Sequence, residues 1–240
     1  MASTSEVGHN KNAANFDTAY QILDEMGAIY NPTNPAIILV NLVPIKTALT
    51  LSIKTLNQKT PIYKNAVAER ETVIAPLPKL TTRTLNYAKS TAISAKDKEV
   101  LDSQAKKIRG DHKPKKANPD TAAPATISTS QQSYDSQIAN FDTYINQLES
   151  HPEYIPNETD LKITTLQNYH QTLSNLSTLV NTAGNTIITA RTDRNKILYY
   201  NPVNVIQLIR DIKSYLKSLG DQGKPYYDAL MKLKFRDIQK

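Results

Sequence analysis

The chain has no cysteine and no tryptophan among its 240 residues. The lack of cysteine excludes disulfides, thiolate metal sites and a cysteine nucleophile. Glycine is also scarce, with 6 residues, which disfavours an all-β fold with many tight turns. The hydrophobic fraction of 39% is low for a compact globule, but it suffices for helices that each bury one apolar stripe.

The chain also lacks a long hydrophobic run. Its longest apolar stretch, residues 35–45, is interrupted by Asn41 and is shorter than the about 20 residues needed to cross a bilayer. The first 15 residues lack the basic region followed by an apolar run that is typical of a secretory signal. We therefore expect a soluble, cytoplasmic protein, with export by a non-classical route as the alternative.

Signatures of catalysis are missing as well. The four histidines, His9, His112, His151 and His170, are widely separated, and only His9 follows a glutamate (Glu6) by three residues, whereas a di-iron bundle needs two such pairs. No glycine-rich phosphate loop and no nucleophile elbow occurs. The sequence therefore predicts no catalytic, cofactor-binding or metal-binding residue, and a protein that is not an enzyme.

One strong periodic pattern occupies residues 161–200. Apolar positions recur there at alternating steps of three and four, which places them on one stripe of a helix of about 40 residues and about 60 Å. The ten members are Leu166, Tyr169, Leu173, Leu176, Val180, Ala183, Ile187, Ala190, Arg194 and Ile197.

Segments of the first half of the chain recur in the second half, at an offset that stays near 125 residues. Such ordered self-similarity indicates an internal duplication. The clearest pairs are residues 15–18 (NFDT) with 140–143 (NFDT), residues 30–32 (YNP) with 154–156 (YIP), and residues 87–90 (YAKS) with 215–218 (YLKS).

We predict an all-α fold in which residues 8–109 and 131–240 are two copies of one helical unit. Each copy has one long helix, and the copies pack as one elongated bundle about a pseudo-twofold axis. Residues 110–130, rich in proline and lysine, form a flexible linker. In the first copy, Pro44 and Pro61 predict a bent or broken long helix.

Two local patterns predict where helices begin. Ser94 with Asp97 forms a capping box for a helix that ends near Arg109. Asn201 and Pro202 are typical of the cap and first residue of a helix.

Residues 8–16 (GHNKNAANF), the turn at residues 30–32 and residues 190–196 (ARTDRNK) resemble an uncharacterised family of bacterial proteins that are all predicted to be helical. The resemblance covers both copies. It implies a bacterial origin and brings no established activity.

An arginine occupies a matching stripe position in each copy, and each follows an acidic residue: Arg70 after Glu69, and Arg194 after Asp193. An arginine at a core position needs a partner because an unpaired buried charge is costly. We interpret these residues as structural ion pairs that set the register of the two long helices. The alternatives are an anionic ligand held between the copies, or arginines that reach to water.

The formal net charge is +7. A solvated basic surface explains it, and an acidic partner, nucleic acid or anionic lipid, is the alternative. The candidate phosphate contacts are Lys106, Lys107, Arg109, Lys113, Lys115 and Lys116.

These observations favour a non-catalytic helical scaffold or interaction protein with a protein partner or self-association, and no small-molecule substrate. One alternative is a membrane-acting helical protein resembling α-pore-forming toxins. The other is nonspecific binding of nucleic acid through the basic linker and tail.

Overall fold

The computed structural model describes residues 4–110 and 133–237, with side chains from residue 8 onward. This part of the chain is helical and contains no β-strand, which confirms the all-α prediction. Its α-helices are α1 (Thr4–Glu25), α2 (Leu39–Ile74), α3 (Leu77–Ser90), α4 (Ala95–Arg109), α5 (Tyr134–Glu149), α6 (Ile163–Asn195), α7 (Val205–Ser218) and α8 (Lys224–Lys232).

The long stripe of the second half folds as its spacing predicts. Helix α6 continues into a π-helical turn, Lys196–Tyr200, so that helical backbone extends almost to the predicted end. Tyr169 and Ile197 are half-buried, and the other eight members of the stripe, Arg194 included, are buried.

Helix α2 is continuous from Leu39 to Ile74 although it contains Pro44 and Pro61. The predicted break at these prolines does not occur. Each proline removes one backbone hydrogen bond, and burial of Leu42, Leu49 and Leu56 along the same helix offsets that cost.

The helix start predicted at Ser94 is confirmed. The Ser94 hydroxyl accepts a hydrogen bond from the Asp97 amide over 3.2 Å, and α4 ends at Arg109. The predicted start of α7 is wrong by three residues. Its N-cap is Asn204, whose side chain accepts from the Gln207 amide over 2.9 Å, whereas the Asn201 carbonyl accepts from the Asn204 side chain.

The chain divides into two compact units, and both boundaries lie inside the long helices. Unit 1 comprises Met1–Ile62 and Gly184–Lys240. It contains α1, the first part of α2, the last part of α6 with its π-helical turn, α7 and α8. Its core is built from Phe16 and Leu23 of α1, Leu42 and Leu49 of α2, and the apolar face of α7.

Unit 2 comprises Tyr63–Ala183. It contains the last part of α2, then α3, α4 and α5, and the first part of α6. Helix α4 packs against both α3 and α5. The core includes Leu85 of α3, Leu101 of α4, Phe141 of α5 and Leu166 of α6.

The compact units and the predicted repeats are different divisions of the chain. The repeats, 8–109 and 131–240, were divided at the linker, whereas each compact unit takes helices from both repeats. The linker prediction, residues 110–130, lies outside the described residues except for Gly110, which ends α4 in the left-handed conformation, with φ of 79°. The repeat assignment stays a prediction.

Candidate functional site

A cluster of polar side chains is buried in unit 1. It contains His9 and Asn12 of α1, Arg194 of α6 and Tyr199 of the π-helical turn, which are 5%, 1%, 2% and 2% exposed. Buried polar groups need hydrogen-bond partners. The partners come from three chain segments, residues 9–15, 194–199 and 234–236.

Asn12 joins the first helix to the C-terminal segment. Its side-chain amide donates to the Arg236 carbonyl oxygen over 2.8 Å, and its side-chain oxygen accepts from the Arg236 amide over 2.8 Å. One helical turn later, Asn15 donates to the Lys234 carbonyl oxygen over 2.8 Å. Two asparagines of α1 thus hold the backbone of residues 234–236, whatever side chains those residues carry.

Tyr199 completes the cluster. Its hydroxyl accepts from Asn12 over 3.1 Å and lies 2.7 Å from Nδ1 of His9. Because the hydroxyl accepts from Asn12, its own proton is available to His9. Burial raises the pKa of Tyr199, while the hydrogen bond from Asn12 and the nearby Arg194 charge act in the opposite direction. The neutral phenol is therefore the stable form, and the arrangement ties the two ends of the chain together.

The two predicted arginines have different surroundings, and they belong to different compact units. Arg194 of unit 1 is buried and donates through Nε and Nη2 to the Asn195 side-chain oxygen, over 3.1 and 2.9 Å. Arg70 of unit 2 is half-buried. Its guanidinium carbon lies 4.5 Å from the centre of the Tyr134 ring, and its Nε is buried and has no hydrogen-bond partner among the described residues.

The acidic neighbours of these arginines lie on the surface. Glu69 is exposed, and the Asp193 carboxylate pairs with Lys196 over 3.3 Å. The ion pairs that set helix register, and the anion site, both stay predictions.

The candidate phosphate contacts are described only in part. Lys106 pairs with Asp102 over 2.6 Å, and Arg109 donates to the Thr82 hydroxyl over 3.4 Å. Lys107 is exposed. The remaining three cations, Lys113, Lys115 and Lys116, lie outside the described residues, so the polyanion surface stays a prediction.

The long helices expose aliphatic side chains on the faces that point away from the cores. Val40, Leu51 and Ile62 of α2 are 70%, 61% and 52% exposed, and Ile188 of α6 is 61% exposed. The sequence pattern that could have revealed the exposed face of α2 is a second apolar periodicity, at Val40, Val43 and Leu51, beside the stripe that is buried.

The buried cluster was also missed from the sequence. His9 and Asn12 are three residues apart on α1 and so share one face, but their partners Tyr199 and Arg236 are more than 180 residues away in the chain. No local pattern connects residues at such separations.

Two further features bear on function. Within residues 4–110 and 133–237, no group of three or more histidine, aspartate or glutamate side chains could hold a metal ion. The helical stretch Leu39–Ser90 is, by length and composition, able to cross a membrane, although only 17% of its most apolar window is buried within the fold.

No protein-family model, no curated protein and no solved structure matches this chain.

Proposed function

We propose that this protein is a non-catalytic helical scaffold that binds another macromolecule or a lipid surface through the exposed faces of its two long helices. The observation that carries the proposal is the exposure of Val40, Leu51, Ile62 and Ile188 on α2 and α6. Isolated exposed aliphatic residues are ordinary on a protein surface, but several along one helix are typical of a binding surface.

The burial of the polar cluster agrees with this function. His9, Asn12, Arg194 and Tyr199 each retain at most 5% of their accessible surface. Their hydrogen bonds hold α1, the π-helical turn and the C-terminal segment together. These contacts support a role of the polar cluster in stability.

We further propose that the chain is an internal duplication in which each compact unit combines helices of both copies. Matching contacts within the two units support it. In unit 1, the Tyr30 ring packs edge-on against Tyr215, with centroids 5.4 Å apart. In unit 2, Tyr154 packs in the same way against Tyr87, at 5.2 Å. In the proposed alignment Tyr154 matches Tyr30, and Tyr87 matches Tyr215.

A second matched pair connects the first helix of each copy to its long helix. Asp17 of α1 pairs with Lys46 of α2 over 2.9 Å. Asp142 of α5 lies 3.7 Å from His170 of α6. The offsets are again close to 125 residues. The pseudo-twofold arrangement, the bacterial origin and the cytoplasmic location of the protein stay predictions.

Site-specific photo-crosslinking tests the binding function. A photoreactive residue is placed at position 51, 62 or 188 of the full chain, and at the control position 155, where Ile155 is 73% exposed on a turn outside the long helices. We expect adducts with a protein, a second copy or lipid at the helix positions in excess of the control. Equal or absent adducts at all four positions, together with a monomer in sedimentation, would overturn the proposal.

A further inference from the structure

Residues 39–56 of α2 are apolar on two opposite faces. One face holds Leu42, Leu49 and Leu56, which repeat every seven residues and are the only buried side chains in this segment. The opposite face holds five exposed residues, which we call the outer stripe: Val40, Val43, Pro44, Thr47 and Leu51. Their spacing places them on one side of the helix over about 16 Å.

The outer stripe is not explained by the packing of the fold. An apolar helix in the core of a globular protein is mostly buried, whereas here Val40 is 70% exposed and Leu51 is 61% exposed. The helical stretch that includes this segment is also apolar enough to cross a membrane by composition. This segment of α2 therefore has more apolar side chains than the core buries, and several of the others are exposed at the surface.

The chain segment that carries the outer stripe has charges of one sign. Between Glu25 and Glu69 the chain contains no acidic residue, whereas it contains Lys46, Lys54, Lys59 and Lys64. Lys54 is exposed and follows Leu51 by three residues, so it extends the same side of the helix. Lys46 is half-buried and pairs with Asp17 of α1.

An exposed, largely aliphatic stripe extended by Lys54, within a segment free of carboxylates, matches the chemistry of an anionic lipid surface. Aliphatic side chains enter the boundary between headgroups and acyl chains, and lysines are attracted to the negative surface potential. We propose that the outer stripe and Lys54 form a docking surface for an anionic lipid bilayer, on which the folded protein lies without crossing it. This inference rests on the proposed binding function and names its partner.

The mode of contact follows from the buried side of the same helix. Leu42 and Leu49 are 0% and 1% exposed in the core of unit 1. A helix that crossed the bilayer would have to remove both from that core, whereas a helix lying on the surface keeps them in place. Peripheral binding therefore leaves the fold intact, and it does not require a pore.

Sedimentation of the full chain with lipid vesicles tests the proposal. Vesicles of phosphatidylcholine alone are compared with vesicles that also contain phosphatidylserine. We expect binding to the anionic vesicles only, weakened by added salt because the lysine contribution is screened. Binding to both kinds of vesicle alike, or to neither, would overturn the proposal.

Amino-acid substitutions test whether this surface, and not another part of the chain, binds the vesicles. The double variant Val40→Asp, Leu51→Asp is expected to lower the affinity for anionic vesicles by about tenfold or more, since it replaces inserted aliphatic groups with repelled charges. The control Ile155→Asp places one carboxylate, where the double variant places two, on an exposed aliphatic position of unit 2, and it should bind like the unaltered chain. Circular dichroism and thermal unfolding establish that both variants remain folded.

The outcomes distinguish the two proposals. If the double variant binds vesicles as well as the control, the docking surface is wrong. If the chain binds no vesicles but crosslinks through position 51 to a protein or to a second copy, the bilayer is the wrong partner and the binding function stands. Release of an entrapped dye would contradict peripheral docking, because it requires the bilayer to be breached.

Discussion

The Tyr30 hydroxyl donates a hydrogen bond to the carbonyl oxygen of Ile37 over 2.6 Å. The two residues are seven positions apart, and their bond closes the turn between α1 and α2. Unit 2 contains the same arrangement, in which Tyr154 donates to the Leu161 carbonyl oxygen over 2.9 Å between α5 and α6. Each tyrosine is 6% exposed, and burial raises the pKa of both.

Removal of either hydroxyl should destabilise the protein by a similar amount. Tyr30→Phe and Tyr154→Phe each leave a buried carbonyl oxygen without this donor, which costs about 1 to 3 kcal/mol. Chemical denaturation of the two variants measures the loss in free energy of unfolding. A cost in one variant with none in the other would contradict equivalent roles for the two turns.

Asn12→Ala should free the C-terminal segment. The change removes the hydrogen bonds to Tyr199 and to both backbone groups of Arg236, and we expect a loss of about 2 to 3 kcal/mol. Hydrogen exchange at the Arg236 amide measures the local effect, which should be a loss of protection.

Asn15→Ala is the matched control for that variant. Asn15 is half-buried and donates one exposed hydrogen bond to the Lys234 carbonyl oxygen, so its removal should cost less than about 1 kcal/mol. If the Arg236 amide remains protected from hydrogen exchange in Asn12→Ala, contacts other than those of Asn12 hold the C-terminal segment.

The two matched arginines should respond differently to replacement by methionine. Arg194→Met removes a buried, hydrogen-bonded guanidinium that is 2% exposed, at an expected cost of about 3 kcal/mol. Arg70→Met removes a contact with the Tyr134 ring but also an unsatisfied buried Nε, and these effects should cancel to within about 1 kcal/mol.

Denaturation curves of the two arginine variants provide the comparison. Equal costs would indicate that Arg70 has polar partners as important to stability as those of Arg194. A gain in the stability of Arg70→Met would agree with a guanidinium whose buried Nε has no hydrogen-bond partner among the described residues.

Asp102 of α4 should make stability depend on pH in the acid range. Hydrogen bonds from Lys106 and Lys89 lower the pKa of its carboxyl from 3.8 to about 2. Because the folded-state pKa is the lower one, the stabilisation is present above pH 3.8 and is lost as the pH falls toward 2. Because Lys89 and Lys106 are partly exposed, solvent screens their charges and limits this stabilisation to about 1 kcal/mol.

Asp102→Asn tests this dependence. The variant should lose about 1 kcal/mol at neutral pH and should approach the unaltered chain as the pH falls from about 4 to about 2, because only the unaltered chain has a carboxylate at position 102 that becomes protonated there. Thermal unfolding across that range measures the difference. A constant difference at all pH values would show that the carboxylate charge is not the cause.

The local structure was predictable because it depends on neighbours in the chain. Residues three and four apart must share a helix face, so the stripe on α6 predicted both its length and its burial. Ser94 and Asp97 predicted a helix start for the same reason. The error at α7 arose because Asn201 and Asn204 are both acceptable caps, and the Asn201 carbonyl is used within the turn instead.

The sequence by itself determined the all-α class, the long helices and most helix ends, because helix geometry follows from spacing and capping within a few residues. Only the tertiary structure decided that each compact unit takes helices from both halves of the chain, that Asn12 reaches Arg236, and that Arg194 is buried while Arg70 lies against Tyr134. These outcomes depend on contacts between residues distant in the chain, which no local spacing or capping pattern encodes.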